Sequence, residues 1–220
     1  MLSYMTMKFT EFDIKHLTFE EVKLTSNKTV ILSKYIGPDT PIMRLPNIEL
    51  THYGVPKVGR FFSADKDRMF LQVPVDGGLL ESFQMLDAFL TSDDTKQKLF
   101  KGSANTYIHS PTVKNGTKGP YLKLKLETDY ETGDIVTILW KSTRNDEGNI
   151  VRDPSSMYIT SIDDFANTVC LNSTIVCVVR LVKIWVVNLQ YGLTIKLVKV
   201  NVLNHDKKVD GDDGLDVDFI

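Results

Sequence analysis

The chain is poor in the residues that build metal and redox centres: 220 residues hold two cysteines and four histidines. Cys170 and Cys177 lie in apolar, β-rich sequence without the Cys–His spacing of a zinc site, and two cysteines make no secreted disulfide framework. Buried free thiols are expected, and with them a reducing intracellular compartment. His16, His52, His109 and His205 are scattered and read as surface or hydrogen-bonding residues. There is no Gly-x-Ser-x-Gly, no Gly-x-x-x-x-Gly-Lys and no dinucleotide fingerprint. Asp163-Asp164 and Asp212-Asp213 imitate metal carboxylates, but adjacent acids diverge on a strand and are solvated at turns and tails. No metal, cofactor or catalytic activity is implied.

Long apolar runs are missing too. The nearest, Thr174–Val187, is interrupted by Arg180 and Lys183 and is too short to cross a bilayer as a helix. Met1–Phe9 lacks the basic start and apolar block of a signal peptide. The expectation is a soluble intracellular protein without membrane partners. No repeat or low-complexity block stands outside the C-terminus.

What the chain has is β-sequence. Thr174–Val187 is strongly β-branched, Asn188–Gly192 reverses it, and Leu193–Val202 returns antiparallel. Upstream, Thr29–Ile36 reads as a strand. Ile42–Val58, broken by Pro46 and Pro56, suits an edge strand or ordered loop. Arg60–Phe62 and Arg68–Val73 read as a hairpin around a polar turn. Pro120–Leu126 is a strand after a basic loop, Lys114–Gly119, and Asp134–Lys141 pairs with it through Asp129–Gly133. Ser142–Met157 is a polar insertion. Helical spacing appears in one main place: Leu79, Leu80, Phe83, Leu86 and Leu90 recur as one face of a helix. Ser92 caps a second, short helix through Phe100, and Ser161 caps a single turn. The fold class is therefore mainly β with one or two short helices, a β-barrel or sandwich carrying insertions.

Charge divides the chain. The formal net charge of −2 comprises −5 on residues 210–220 and +3 on residues 1–209. The boundaries are thus a body, 1–209, and an acidic tail, 210–220, too polar to bury an apolar core. The tail carries Asp210, Asp212, Asp213, Asp216 and Asp218 and closes on Phe219 and Ile220. In the body, alternation puts Tyr121, Lys123 and Lys125 on one strand face and Leu122, Leu124 and Leu126 on the other. Lys183 and Trp185 repeat the aromatic–basic pairing, as do Arg68 and Phe70. A sheet that stacks bases and neutralises phosphates needs such a face. A lysine beside a core aromatic produces the same pattern, and a tryptophan in so apolar a strand serves equally well as core.

These features resemble the viral and phage-type single-stranded DNA-binding proteins, in particular the podophage-like branch found in large DNA viruses of eukaryotes. The resemblance rests on Leu45–Leu50, Tyr53–Pro56, Tyr121–Leu126, Tyr191–Val200 and the terminal Asp216-Val-Asp-Phe219, which one extra residue, Ile220, follows. It implies an OB-fold barrel, sequence-tolerant binding of exposed strands in replication, recombination and repair, and a tail that recruits DNA polymerase and other replication proteins. It also implies a location in the host cytoplasm or nucleus, at sites of viral DNA replication. Expected DNA contacts are Arg68, Phe70, Tyr121, Lys123, Lys125, Lys183, Trp185, Lys196 and Lys199. Exposed strand edges make a homodimer compatible. The competing reading is a viral structural or minor capsid β-protein, with the strands as scaffold and the tail as an assembly peptide.

Overall fold

The structure is a computed structural model, and it describes residues 7–17, 19, 22, 33–34, 42–144, 150–152, 159 and 161–204. The acidic segment 210–220, with Asp210, Asp212, Asp213, Asp216, Asp218 and Phe219, lies outside the described residues. So does most of the strand expected over residues 29–36.

The N-terminal half contributes β1 (Met7–Lys8), β2 (Ser33–Lys34), β3 (Ile42–Glu49) and β4 (Phe70–Pro74), then α1 (Gly77–Thr91) and α2 (Asp93–Phe100). The C-terminal half contributes β5 (Ile108–His109), β6 (Val113–Gly116), β7 (Gly119–Leu126), β8 (Ile138–Arg144), β9 (Ile150–Arg152), α3 (Ile162–Thr168), β10 (Thr174–Val187) and β11 (Gln190–Asn204). The fold is mainly β, as the sequence predicts, with three α-helices rather than one or two. The main sheet path is β1-β3-β10-β11-β7-β4, and it does not return from β4 to β1. Among the described residues the sheet is open instead of closing into a barrel.

The β10–β11 hairpin is the spine. Its strands are β-branched along the core face, where Ile175, Cys177, Val179, Leu181, Ile184 and Val186 are buried. Burial pushes the Cys177 thiol up to about 12, so this cysteine is packing material. Cys170 is half-buried, with its Sγ 3.5 Å from Ser173 Oγ. The outer edge of β11 is shared in parallel by β5 at Gln190–Tyr191, β7 at Lys196–Leu197 and β8 at Lys199–Val202. The two-residue hairpin turn puts Asn188 (φ +46°) and Leu189 (φ +65°) in the left-handed region.

Helix boundaries follow local chemistry. Leu79, Phe83, Leu86 and Leu90 are buried along α1. Ser92 Oγ accepts the Thr95 N–H at 3.3 Å to start α2, and Ser161 Oγ accepts the Asp164 N–H at 3.1 Å to start α3. Each such cap stabilises its helix by about 1 kcal/mol. The α3 helix runs beyond the single expected turn.

Four strand expectations are corrected. Residues 60–62 form no strand with β4; Arg68 closes that turn by binding Asp65, and β4 pairs with β7 instead. The basic loop is itself half strand, since β6 forms a tight hairpin with β7. The segment after Gly133 leaves β7 after the single bridge Thr128–Ile135 and runs as β8 along β11. Thr137 guides it by donating to the Leu197 carbonyl at 2.8 Å. Finally, β3 lies between β1 and β10, although β1 covers only Met43 and Arg44. Pro46 is accommodated there because the register skips between Val176 and Val178, placing Leu45 and Pro46 opposite Cys177.

Candidate nucleic-acid interface

Alternation on β7 places Leu122, Leu124 and Leu126 in the core and turns Tyr121, Lys123 and Lys125 to the other face. Pairing carries that face across the sheet. Phe70 of β4 pairs with Lys125, Lys125 with Lys196, and Lys196 with Arg180. Directly paired residues share a face, so three cations stand abreast on three adjacent strands.

A β-bulge completes the group. Alternation from Leu181, which faces the core, would send Lys183 and Trp185 to the core as well. The register instead skips Val182: Leu181 pairs with Ile195, and Lys183 with Thr194. The extra residue turns Lys183 and Trp185 onto the basic face and returns Ile184 and Val186 to the core. Trp185 is half-buried over Gly192, its cross-strand partner. A Cβ at position 192 would lie 2.7 Å from Trp185 Cζ2 and 2.9 Å from Cε2, so only glycine leaves room for the indole.

The face is concave where the sheet forks. One edge of β7 is taken first by β6 and then, at Lys125–Leu126, by β11. The link Ser110–Thr112 crosses from β5, on β11, to β6, on β7. The gap between these strands is a concavity of about 240 Å³, lined by the link, Lys114, Lys123, Lys125, Trp185, Leu193, Thr194 and Ile195. Asp87 of α1 anchors the link by accepting the Thr112 N–H at 2.8 Å and the Val113 N–H at 3.3 Å, and it lies 2.9 Å from His109 Nε2. Burial opposes ionisation of Asp87, but the hydrogen bonds from His109, Thr112 and Val113 outweigh it and hold the carboxyl below its ordinary range. Tyr191, buried behind the link, donates to the Leu90 carbonyl at 2.8 Å, and burial pushes its phenol up to about 12.

The lysines feel one another. Desolvation, then Lys125 and Lys114, lower the pKa of Lys123. Desolvation, then Lys183 and Lys196, lower Lys125, while desolvation with Arg180 and Lys183 lowers Lys196. Arg180 is ion-paired with Glu127, whereas Lys123, Lys125, Lys183 and Lys196 form no ion pair among the described residues. Lys123 Nζ sits 3.8 Å from the Phe70 ring centroid. At the β6–β7 end Tyr121 lies 4.7 Å from Tyr53 and Tyr53 4.5 Å from His52, centroid to centroid.

The structure thus brings together Tyr121, Lys123, Lys125, Lys183, Trp185 and Lys196, and sets Phe70 beneath Lys123. It sets one expected contact apart. Arg68 is only 3% exposed, and its guanidinium binds Asp65, Asp163 and the Pro56 carbonyl. Lys199 stays on the basic face, because a second bulge at Val198 pairs it with Val178, two residues from Arg180, and it lies 5.3 Å from the Trp140 ring on β8. Sequence reasoning missed Lys114, Tyr53 and Gly192. Lys114 is legible once β6 is recognised as a strand, because it pairs with Tyr121. Tyr53 and Gly192 carry no local signal.

No known protein-family profile matches the chain. A stretch of 108 residues is 31% identical to a curated protein of Acanthamoeba polyphaga mimivirus, "Uncharacterized protein R505", covering 44% of this chain and 24% of that one. The chain therefore spans about a quarter of the length of the curated relative it matches. Among solved structures it is similar to the single-stranded DNA-binding protein from bacteriophage Enc34, at 10% identity and a TM-score of 0.40, covering 90% of this chain and 96% of that one. The same protein in complex with single-stranded DNA aligns over 87% of this chain and 98% of its own, with the same identity and score. Among the described residues no helix is long and apolar enough to cross a membrane.

Proposed function

We propose that this protein binds single-stranded DNA, without enzymatic activity and with little sequence preference, along the open face of β7, β11 and β10. The observation that carries the reading is the row Lys125–Lys196–Arg180 beside Lys123 and Lys183, around the half-buried Trp185. Like charges opposite one another on neighbouring strands destabilise a sheet. A fold that accepts the arrangement gains from a polyanion that relieves it. Strand phosphates would neutralise the amines, and bases would stack on Trp185 and Tyr121, each stack contributing roughly 1–3 kcal/mol. Arg68 belongs to the support of this face, Phe70 to its floor, and Lys199 to its margin.

The proposed setting is DNA replication, recombination and repair inside the host cell, in a virus-type protein. Residues 210–220 would act as a docking peptide for DNA polymerase and other replication proteins, because five aspartates precede Phe219. The same charges would compete with DNA for the basic face, most strongly at low salt. A homodimer is compatible with this scheme.

Fluorescence anisotropy with labelled oligothymidylate at two salt concentrations tests the reading. Salt-sensitive, length-dependent binding is expected, tightened at low salt by deletion of residues 210–220. A flat titration at low salt would return the chain to the reading of a structural or minor capsid β-protein.

A further inference from the structure

We propose that the loop Lys57–Phe62 is a second, separate contact for the same DNA strand, with Phe61 stacking on a base and Arg60 meeting a phosphate. The assignment rests on the lysine-lined face being a single-strand binding surface.

The loop is closed on itself. Gly59 N–H donates to the Phe62 carbonyl at 3.1 Å, and Phe62 N–H to the Gly59 carbonyl at 3.3 Å, which leaves Arg60 and Phe61 at the tip. Phe61 is 58% exposed, and the Arg60 guanidinium carbon lies 5.8 Å from its ring centroid. A lone exposed aromatic is ordinary on a protein surface. This one differs in its support, its charge and its place.

Its support is rigid. The Phe62 ring packs on Phe70 at 5.6 Å between centroids, edge to face, and Arg68 Nη1 donates to the Pro56 carbonyl at 3.3 Å below the loop. The buried Arg68, tied to Asp65 and Asp163, therefore holds the base of the loop from which Arg60 is displayed. The charge is of one sign: residues 57–62 read Lys-Val-Gly-Arg-Phe-Phe, with no acid among them. The place follows from Phe70, which touches Phe62 and also lies under the Lys123 ammonium. The loop is thus coupled through one buried ring to the lysine end of the sheet face. A cation beside an exposed ring is the chemistry that holds a single strand, the ring taking a base and the guanidinium a phosphate. A strand lying across Lys125 and Lys123 and continuing over β4 would reach this tip next.

The test uses the full chain and oligothymidylates of about 8 and about 30 nucleotides, spanning the usual footprint of such surfaces. Phe61→Ala and Arg60→Ala alter exposed side chains, and a thermal melt checks that each variant is folded. The expected result is about a tenfold loss of affinity for the long oligonucleotide in the Phe61→Ala, Arg60→Ala double variant, because one base stack and one neutralised phosphate are removed. The short oligonucleotide should bind within about twofold of the unmodified protein, being held by the lysine face. Unchanged affinity for the long oligonucleotide overturns the assignment, as does equal weakening at both lengths. If the unmodified protein binds neither oligonucleotide, the reading of the lysine face falls and the loop assignment with it. If it binds both and only the loop variants are silent, the loop assignment falls alone. Photo-cross-linking with 4-thiothymidine in the long oligonucleotide adds a direct readout: adducts on the peptide containing Phe61 are expected, and their absence beside strong adducts at Trp185 counts against the loop.

Discussion

Arg68–Phe70 and Lys183–Trp185 carry one sequence signature, a cation and an aromatic two residues apart in a β-segment, and the fold treats them in opposite ways. Arg68 and Phe70 are both buried, the first under two aspartates, the second under Lys123. Lys183 and Trp185 stay half-buried on an open face, because the bulge at Val182 rotates them out of the core phase. Alternation says which side chains share a face. It does not say what covers that face. The segment after Tyr53 pairs with the other edge of β4 at the Gly54–Gln72 bridge and then lays the Phe62 ring against Phe70, while nothing among the described residues covers Trp185 in that manner.

The sharpest way to break this contrast is to reverse charge on one side and delete it on the other. Lys123→Glu with Lys125→Glu should weaken oligothymidylate binding by about two orders of magnitude at low salt. It should also flatten the slope of log affinity against log salt by about 1.4, at ~0.7 for each phosphate that is no longer neutralised. Arg68→Ala should act on stability instead, lowering it by about 1–3 kcal/mol through loss of charge-assisted hydrogen bonds whose carboxylate partners remain partly solvated. Chemical denaturation and anisotropy on the same samples read both quantities. Arg68→Ala protein that is fully stable but binds poorly would make Arg68 a contact after all.

Gly192→Ala probes the open side alone. An added methyl group collides with the Trp185 ring, so the indole must move, with about 1–3 kcal/mol of destabilisation. Binding should drop several-fold as well. A crystal structure of the variant with Trp185 in place and affinity intact would show that the ring is only packing.

A smaller effect comes from protons. Lys123, Lys125 and Lys196 have pKa values below 10.5 because desolvation and neighbouring cations disfavour the charged form. As pH rises they lose their protons earlier than free lysines, so DNA affinity should fall in the alkaline range before ordinary lysines titrate. Phosphates would draw the protons back, making binding proton-consuming at alkaline pH; calorimetry in buffers of different ionisation enthalpy measures this. The sign for folding is the reverse. The native state binds fewer protons than the unfolded chain between the lowered pKa values and 10.5, so the free protein gains slight stability with pH across that window.

The smallest effect lies at the hairpin tip. Leu189 holds φ +65°, a conformation that side-chain-bearing residues adopt at a cost of about 1 kcal/mol. Leu189→Gly should recover roughly that amount, because Asn-Gly is the favoured sequence for this turn. A lower melting temperature would show that the exposed leucine makes a stabilising contact.

The one-dimensional pattern determined a good deal of this protein. The β-branched hairpin at the C-terminus, the apolar face of α1, the serine caps and the split of leucines from lysines on β7 all follow from periods of 2 and 3.6 read along the chain. These are local properties, set by backbone geometry and by neighbours a few residues away. Only tertiary structure decided the rest. Register skips at Val182 and Pro46, the departure of β8 from β7 to β11, and the fork that gathers Lys114 and Trp185 depend on partners far apart in sequence. Pairing is chosen by which edge is free once the core has closed, and that information is not carried by any single segment. Arg68 is the plainest case: its neighbours along the chain mark it as a surface cation, and Asp163, ninety-five residues away, helps to keep it buried.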